Sequence, residues 1–438
     1  MKQYPTYKES GVQWIGLIPE HWNVTKTKYI ARLYTGNSLD DSQKEKYLTD
    51  PLEINESAIP YIATKDISSD CNCVTYYNGL AIPKEEGFKK APKGSFLLCV
   101  EGGSAGRKHA YLEHEVCFVN KLCCFDSSLN SRYHYYFIQT EPFRNHFKQM
   151  IQGLIGGVSV SDLNNMEVVV PSDSEQQAIA QFLDSKTAKI DESVLLYEQQ
   201  KADLVEYRKA LISDTVTRGL NPNVPLKDSG IQWLGQIPEG WKIVPLKFLL
   251  ASGMMYGANE SADEPNMEWP RYIRITDIAE NGSLKDETYM SLFPDKAADY
   301  MLQKGDILFA RSGATVGKTY MFNENYPACF AGYLIKATCG KDLLPEFLLK
   351  YTQSSVYENW KNSIYIQSTI QNIGADKYNQ MPIPVPSLAE QQAIVSFLDT
   401  KTTMIDEAIR RIDEQIADLK AYRTALITDA VTGKIDVR

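Results

Sequence analysis

One helical segment occurs twice in this chain, and that repetition constrains the fold more than any other feature. The run S-D-S-E-Q-Q-A-I-A-Q-F-L-D begins at Ser172, and S-L-A-E-Q-Q-A-I-V-S-F-L-D begins at Ser387. Between residues 175–192 and 390–407, 13 of 18 positions are identical at a fixed offset of 215 (390 − 175). Each copy follows a short apolar run ending in Pro171 or Pro386, and proline cannot lie inside a helix. Ser172 with Glu175, and Ser387 with Glu390, have the spacing of a capping box, which gives first-turn N–H groups side-chain partners.

Each copy then carries an apolar seam at a spacing of seven. The first is Leu183, Ile190, Tyr197, Leu204 and Leu211; the second is Leu398, Ile405, Ile412, Leu419 and Leu426. That period suits two helices packed along their lengths. Roughly 40 residues at about 1.5 Å each make a rod of about 60 Å. The stripe is narrow and the other faces are charged, so the economical arrangement packs one rod antiparallel against the other.

The repeat extends beyond the rods. Residues 10–22, S-G-V-Q-W-I-G-L-I-P-E-H-W, return as residues 229–241, S-G-I-Q-W-L-G-Q-I-P-E-G-W, with 9 of 13 positions identical. Two tryptophans with Gly and Pro between them predict a compact, aromatic-anchored loop. Next comes a region of short strand-like runs (61–63, 96–100 and 116–119; 272–275 and 307–310), read as a mixed, mainly antiparallel sheet. Residues 133–151 and 347–361 read as amphipathic helices late in each region. The order is therefore loop, domain, rod, loop, domain, rod. Expected boundaries are 1–170 for the first domain, 171–219 for its rod, 220–385 for linker and second domain, and 386–438 for the second rod. Antiparallel rods would bring the C-terminal end back to the N-terminal loop.

The bulk numbers exclude some functions. Hydrophobic content is 43% and charged content 23%, ordinary for a globular protein. No apolar run approaches the roughly 20 residues of a membrane span, and the N-terminus lacks a signal-peptide core, so the chain is expected in the cytoplasm with no membrane partner. Eight cysteines are present, but Cys71-x-Cys73 and Cys123-Cys124 lack zinc spacing, and a reducing compartment disfavours disulfides, so no metal, no disulfide and mainly buried thiols are expected. Five histidines (His21, His109, His114, His134, His146) all lie in the first half, so no catalytic histidine is shared by the two copies. No N-P-P-[FY] tetrapeptide supplies an amino-methyltransferase site, and no G-x-G-x-x-G follows a strand. The net charge is −9. If DNA is bound, its basic residues must cluster on one face or a partner must supply phosphate contacts.

One motif approaches a phosphate-binding loop. Residues 312–319, S-G-A-T-V-G-K-T, put Ser312 where the pattern needs its first glycine, and a strand-like run follows instead of a helix. The equivalent turn, E-G-G-S-A-G-R-K at 101–108, has an acid there. A glycine-rich β-turn presenting Lys318 and Arg107 is expected, a geometry that can approach DNA closely. DNA readers use Arg, Lys, Asn, Gln, Ser and Thr on turns or helices. The first-half candidates are Thr64, Lys65, Ser104, Arg107, Lys108, Ser159 and Ser161. The second-half candidates are Arg274, Thr276, Arg311, Ser312, Thr315, Lys318, Gln367, Ser368 and Thr369.

Together the duplicated G-x-Q-W-[IL]-G-x-I-P-x-x-W loop, K-G-D-I-L-F-A-R-S-G-A-T-V-G-K at 304–318, P-S-x-x-E-Q-Q-A-I before each rod and the V-T-G-K-I-D-V-R terminus resemble the specificity (S) subunits of type I restriction-modification systems. The resemblance covers nearly the whole chain; the first-half turn departs from it at Glu101-Gly102-Gly103. It implies an α+β fold of two mixed α/β target recognition domains separated by two long antiparallel helices packed as a coiled coil, with a pseudo-twofold internal repeat. Each domain would read one half of a bipartite, asymmetric site in double-stranded DNA, and the helices would set the gap. Two methyltransferase (M) subunits would dock on the helices, and restriction (R) subunits would add translocation and cleavage. The chain itself would catalyse nothing and bind no cofactor; S-adenosylmethionine and ATP would sit on the partners. A coiled-coil protein scaffold without DNA specificity is the alternative of another class, and a degenerate NTPase is a third.

Overall fold

The computed structural model describes residues 2–48, 58–68, 72–152, 156–263, 265–279, 282–313, 315–365 and 372–438. Two compact units divide the chain: 1–198 with 413–438, and 199–412. Each contains one mixed α/β domain and a segment of both long helices, Asp173–Arg218 and Leu388–Val431.

In the first unit, an antiparallel sheet runs in the order Ala31–Thr35, Leu122–Ser127, Phe96–Cys99, His109–Tyr111. Phe96, Leu97, Leu98 and Cys99 are all fully buried, so this strand is sandwiched and reads as a continuous apolar run. A second sheet pairs Ala58–Ile62 in parallel with Val116–Phe118. In the second unit the same order recurs: Met255–Tyr256, Leu334–Ala337, Ile307–Ala310, Thr319–Met321, with Arg271–Ile273 parallel to Ala328–Phe330. Ribbons of equivalent position, Asn23–Lys26 with Glu167–Val170 and Lys242–Pro245 with Pro382–Val385, close each domain just before its long helix. The main sheet and the parallel pair are thus duplicated, while the second sheet of the first unit alone adds Ala81–Pro83 and Lys90–Ala91 at its edges among the described residues.

Two expectations need correction. The amphipathic segments late in each domain are each two helices. Thr140 accepts from the Phe143 N–H and Pro142 lies in the first turn, so Ser131–Phe137 stops and Glu141–Met150 begins afresh. In the second unit the Ser354 hydroxyl accepts from the Tyr357 N–H and divides Pro345–Thr352 from Ser355–Tyr365. The second correction is that Cys73 is disulfide-bonded, where no disulfide was expected; the free thiols are mainly buried as expected, Cys99, Cys117, Cys123, Cys124 and Cys329 fully and Cys339 half. Asn72 beside Cys73 holds a left-handed φ of 52°, which makes the chain turn sharply there.

Along the seam, Leu183, Ile190, Leu398, Ile405, Ile412 and Leu426 are buried, and Tyr197, Leu204, Leu211 and Leu419 are half-buried. Ion pairs fix the register. In the first unit Arg423 Nε lies 2.8 Å from Asp191 Oδ1, and Lys420 Nζ lies 3.4 Å from Glu198 Oε1, so the helices run antiparallel. In the second unit Arg208 Nε lies 2.8 Å from Asp406 Oδ1. Arg208 and Arg423, and Asp191 and Asp406, are separated by the same 215 residues as the repeat itself (423 − 208, 406 − 191).

A second repeated device joins the loop to the helix. Trp22 Nε1 donates to Glu175 Oε1 at 3.3 Å, and Trp241 Nε1 donates to Glu390 Oε2 at 3.0 Å. The capping box is consequently shared out. Glu175 Oε2 accepts from the Ser172 N–H and hydroxyl, whereas in the second copy the Ser387 hydroxyl accepts from the Glu390 N–H. The next residue ties the helix to its domain: Gln176 Oε1 accepts from the Asn130 N–H, and Gln391 Oε1 from the Leu344 N–H. The chain ends also meet in the first unit, where the Asp436 N–H donates to the Lys2 carbonyl at 2.9 Å. There Gly433, at φ 76°, leaves room for the Pro19 ring, which a Cβ would approach to 2.4 Å, and for the Trp22 ring at 3.0 Å.

Candidate nucleic-acid interface

In each unit the candidate polar residues gather on a glycine-rich turn and its two flanks. The turn at 101–108 follows the buried strand Phe96–Cys99, so its backbone is anchored at one end. Its Lys108 Nζ donates to the Thr64 carbonyl at 2.9 Å, tying it to the short 3-10 helix Thr64–Asp66. On the other side the Gly102 N–H donates to the Gly156 carbonyl, and the Val158 N–H to the Val100 carbonyl. This brings Thr64, Lys65, Ser104, Arg107, Lys108 and Ser159 onto one edge. Lys65 and Arg107 are exposed, while Thr64, Ser104 and Lys108 are half-buried. Arg107 donates to the Gly103 carbonyl within its own turn. Ser159 is committed to capping: its hydroxyl accepts from the Asp162 N–H and donates to the Asp162 carboxylate. Ser161 is exposed on the helix Val160–Asn165.

The second unit repeats the plan. Lys318 Nζ donates to the Ile278 carbonyl at 3.2 Å, beside the 3-10 helix Ile275–Asp277, and the Ile373 N–H donates to the Arg311 carbonyl at 2.8 Å. Ser312 bridges to Asn372, and Thr276 and Thr315 are exposed. Arg274 is spent on structure: its guanidinium binds the buried Asp277 carboxylate and the Thr288 carbonyl. Arg311 is different. Its guanidinium lies 5.0 Å over the Tyr256 ring, and its buried Nε has no hydrogen-bond partner among the described residues. A buried orphan donor is costly, so Arg311 is a candidate in need of a ligand acceptor. Gln367, Ser368 and Thr369 lie outside the described residues.

The turn at 311–318 is no nucleotide loop. The strand Thr319–Met321 follows it and pairs antiparallel with Ile307–Ala310, so no helix N-terminus faces a phosphate. The described residues hold no metal-ligand cluster and no helix long and apolar enough to cross a membrane. Tyr256, beneath Arg311, was absent from the sequence-derived candidates. Its cue was the following Gly257, where a Cβ would lie 2.3 Å from the Phe330 carbonyl; Gly36 meets the Phe118 carbonyl in the same way in the first unit.

Comparisons agree with this architecture. The chain is 28% identical over 208 residues to the EcoKI specificity subunit of Escherichia coli K12, and 27% identical over 208 residues to the StySPI specificity subunit of Salmonella potsdam. Each of those matches takes in 46% of this chain and 44% of the relative, so the chain spans about half the length of the curated relatives it matches. A solved chain from a study of complex assembly and conformational transition of the type I R-M system superposes with a TM-score of 0.73 at 15% identity, covering 95% of this chain and 99% of that one. The type I restriction modification DNA specificity domain matches twice, over residues 19–195 and 238–417, and the chain belongs to that family.

Proposed function

We infer that this protein is the DNA sequence-recognition subunit of a type I restriction-modification complex. Each recognition domain reads one half of a bipartite, asymmetric site in double-stranded DNA, and the paired helices set the unspecified gap and dock two methyltransferase subunits. The observation that carries the reading is the repeated edge: one scaffold holds a glycine-rich turn between a 3-10 helix and a returning loop in both units, but with different side chains. Shared framework with divergent contacts is what two readers of different base sequences require. The chain acts without catalysis of its own. Adenine methylation with S-adenosylmethionine, and ATP-driven cleavage, belong to methyltransferase and restriction subunits.

The ruler is tested by inserting seven residues, two helical turns of about 10 Å, into the exposed part of the first long helix, with a matched insertion in the second. Methylated adenines are then mapped in host DNA. The two half-sites should stay the same while the gap between them lengthens. An unchanged gap would reject the ruler, and methylation without any sequence preference would leave a protein scaffold as the better reading.

A further inference from the structure

Where the recognition domain meets the paired helices, each unit has a cleft, and the two clefts are chemically opposite. In the second unit it has a volume of about 770 Å³ and takes Arg208 and Asp406 from the long helices, Thr315, Lys318 and Thr319 from the turn and strand, and Glu358 and Lys361 from the helix Ser355–Tyr365. Three cations stand against two carboxylates, a balance of +1 (3 − 2). The cleft of the first unit, about 360 Å³, holds the equivalent pair Arg423 and Asp191, with Arg132, Glu113 and Asp184, a balance of −1 (2 − 3). There Arg132 is bound by Asp184 and lies 4.5 Å over the Tyr111 ring and 5.6 Å over Tyr136, so its guanidinium is already satisfied.

In the second cleft Arg208 pairs with Asp406 and Lys361 with Glu358, whereas the Lys318 ammonium meets a backbone carbonyl. Lys361 is 9% exposed and its Nζ lies 2.8 Å from Glu358. Its stem crosses Gly317, where a Cβ would lie 2.1 Å from Lys361 Cδ, so only glycine in the turn lets the ammonium reach this position. Lys318 uses one of its three N–H donors on the Ile278 carbonyl. With Glu358 set against Lys361 and Asp406 against Arg208, the third cation leaves the cleft with an excess positive charge that an entering anion would neutralise.

We propose that the second-unit cleft is a phosphate site that grips one backbone phosphate of the bound duplex through Lys361, Lys318 and Arg208, independent of base sequence, and that the first unit has no counterpart. The proposal rests on the DNA-reading function above. It makes the two half-sites unequal, because only one of them has an electrostatic clamp at this cleft.

The test uses the full chain, assembled with its methyltransferase subunits, and two duplexes, one with the mapped site and one without it. Affinity is measured between 50 and 200 mM salt for the wild type, Lys361→Gln, Lys361→Arg and Lys318→Gln. Losing one phosphate contact should lower the slope of log K against log salt by about 0.9 and weaken both duplexes equally. Lys361→Gln and Lys318→Gln should each do this, and Lys361→Arg should restore the slope. Arg132→Gln in the first unit should leave it unchanged. A wild-type slope in both glutamine variants, with melting temperatures intact, overturns the clamp and leaves DNA reading standing. A wild-type complex that binds neither duplex overturns the functional reading instead. ATP titrated into the DNA-free chain separates the remaining source of phosphate: tight binding abolished by Lys361→Gln would assign the cleft to a soluble nucleotide and overturn the duplex clamp.

Discussion

The two units share a main sheet, a parallel strand pair and their ties to the long helices, and differ in most of what that frame displays. Strand order, the Trp–Glu anchor, the Gln tether and the Arg–Asp pair all recur. At the cleft the first unit packs Tyr111, Tyr135 and Tyr136 around an arginine, and the second leaves lysines facing a larger space. All five histidines lie in the first half. The difference teaches which parts of a duplicated protein are bound by folding and which are free. Groups that close the backbone onto the long helices are retained in pairs, because losing either member leaves a buried polar group unpaired.

The strongest challenge to this division is the tryptophan anchor. Trp22 is fully buried and Trp241 is 3% exposed. Truncating either to alanine should cost about 3–5 kcal/mol and leave Glu175 or Glu390 without its indole donor. The two losses should be equal within about 1 kcal/mol, since equivalent surroundings give equivalent cavities. Denaturant melts with a probe in each unit would show it. A cost confined to one unit would mean that the second anchor is vestigial.

Acid should separate the units. His109 and His134 are each 1% exposed, and burial holds both down to about 3; for His109, Arg144 and Arg423 push the same way. Each is therefore neutral when folded and takes a proton when unfolded near its ordinary 6.5. Between those values the unfolded state binds more protons, so stability is complete above about 6.5 and falls as pH drops. At about 1.36 kcal/mol per pH unit and group, the first unit should lose roughly 2–3 kcal/mol between pH 7.5 and 5.5. Glu175 acts lower down. Burial pushes it up, but hydrogen bonds from His21, Ser172 and Trp22 outweigh that and hold it at about 2, so its contribution is present above its ordinary 4.5 and is lost as pH falls through about 2. The second unit carries no histidine. Hydrogen exchange at pH 7.5 and 5.5, corrected for intrinsic rates, should show loosening in the first unit alone.

Much of this frame was legible in the sequence. Periodicity marks the long helices, and a repeat at fixed offset marks their pairing. The helix breaks at Thr140 and Ser354 were not read, because a capping side chain inside an amphipathic pattern leaves the pattern intact on both sides. The anchors were half-legible. The tryptophan loop and the E-Q-Q run were each seen as repeated, but Trp22 and Glu175 are 153 residues apart, and nothing local says that they touch. The clefts were illegible for the same reason. Arg208, Lys318 and Lys361 come from three segments, and only the fold gathers them. Arg274 shows the opposite failure: its residue type suggested DNA, and Asp277 had already claimed it.

The smallest effect is the most discriminating. Arg208 and Arg423 occupy equivalent places and pair with equivalent aspartates, half-exposed to solvent. Such pairs contribute about 0.2–1 kcal/mol. Double-mutant cycles on Arg423/Asp191 and Arg208/Asp406, alanine at each position, should therefore give small couplings of the same sign. The DNA-free couplings should agree within a few tenths of a kcal/mol if both pairs serve only to fix the antiparallel register. The prediction then divides on adding duplex. Arg423 lies in the cleft where Asp191, Asp184 and Glu113 outnumber the cations, so its coupling should not change. Arg208 lies where the cations are in excess, so a phosphate entering that cleft competes with Asp406 for the guanidinium and should reduce the Arg208–Asp406 coupling toward zero. A duplex that lowers both couplings alike would mean that the two clefts, whatever their side chains, meet DNA in the same way.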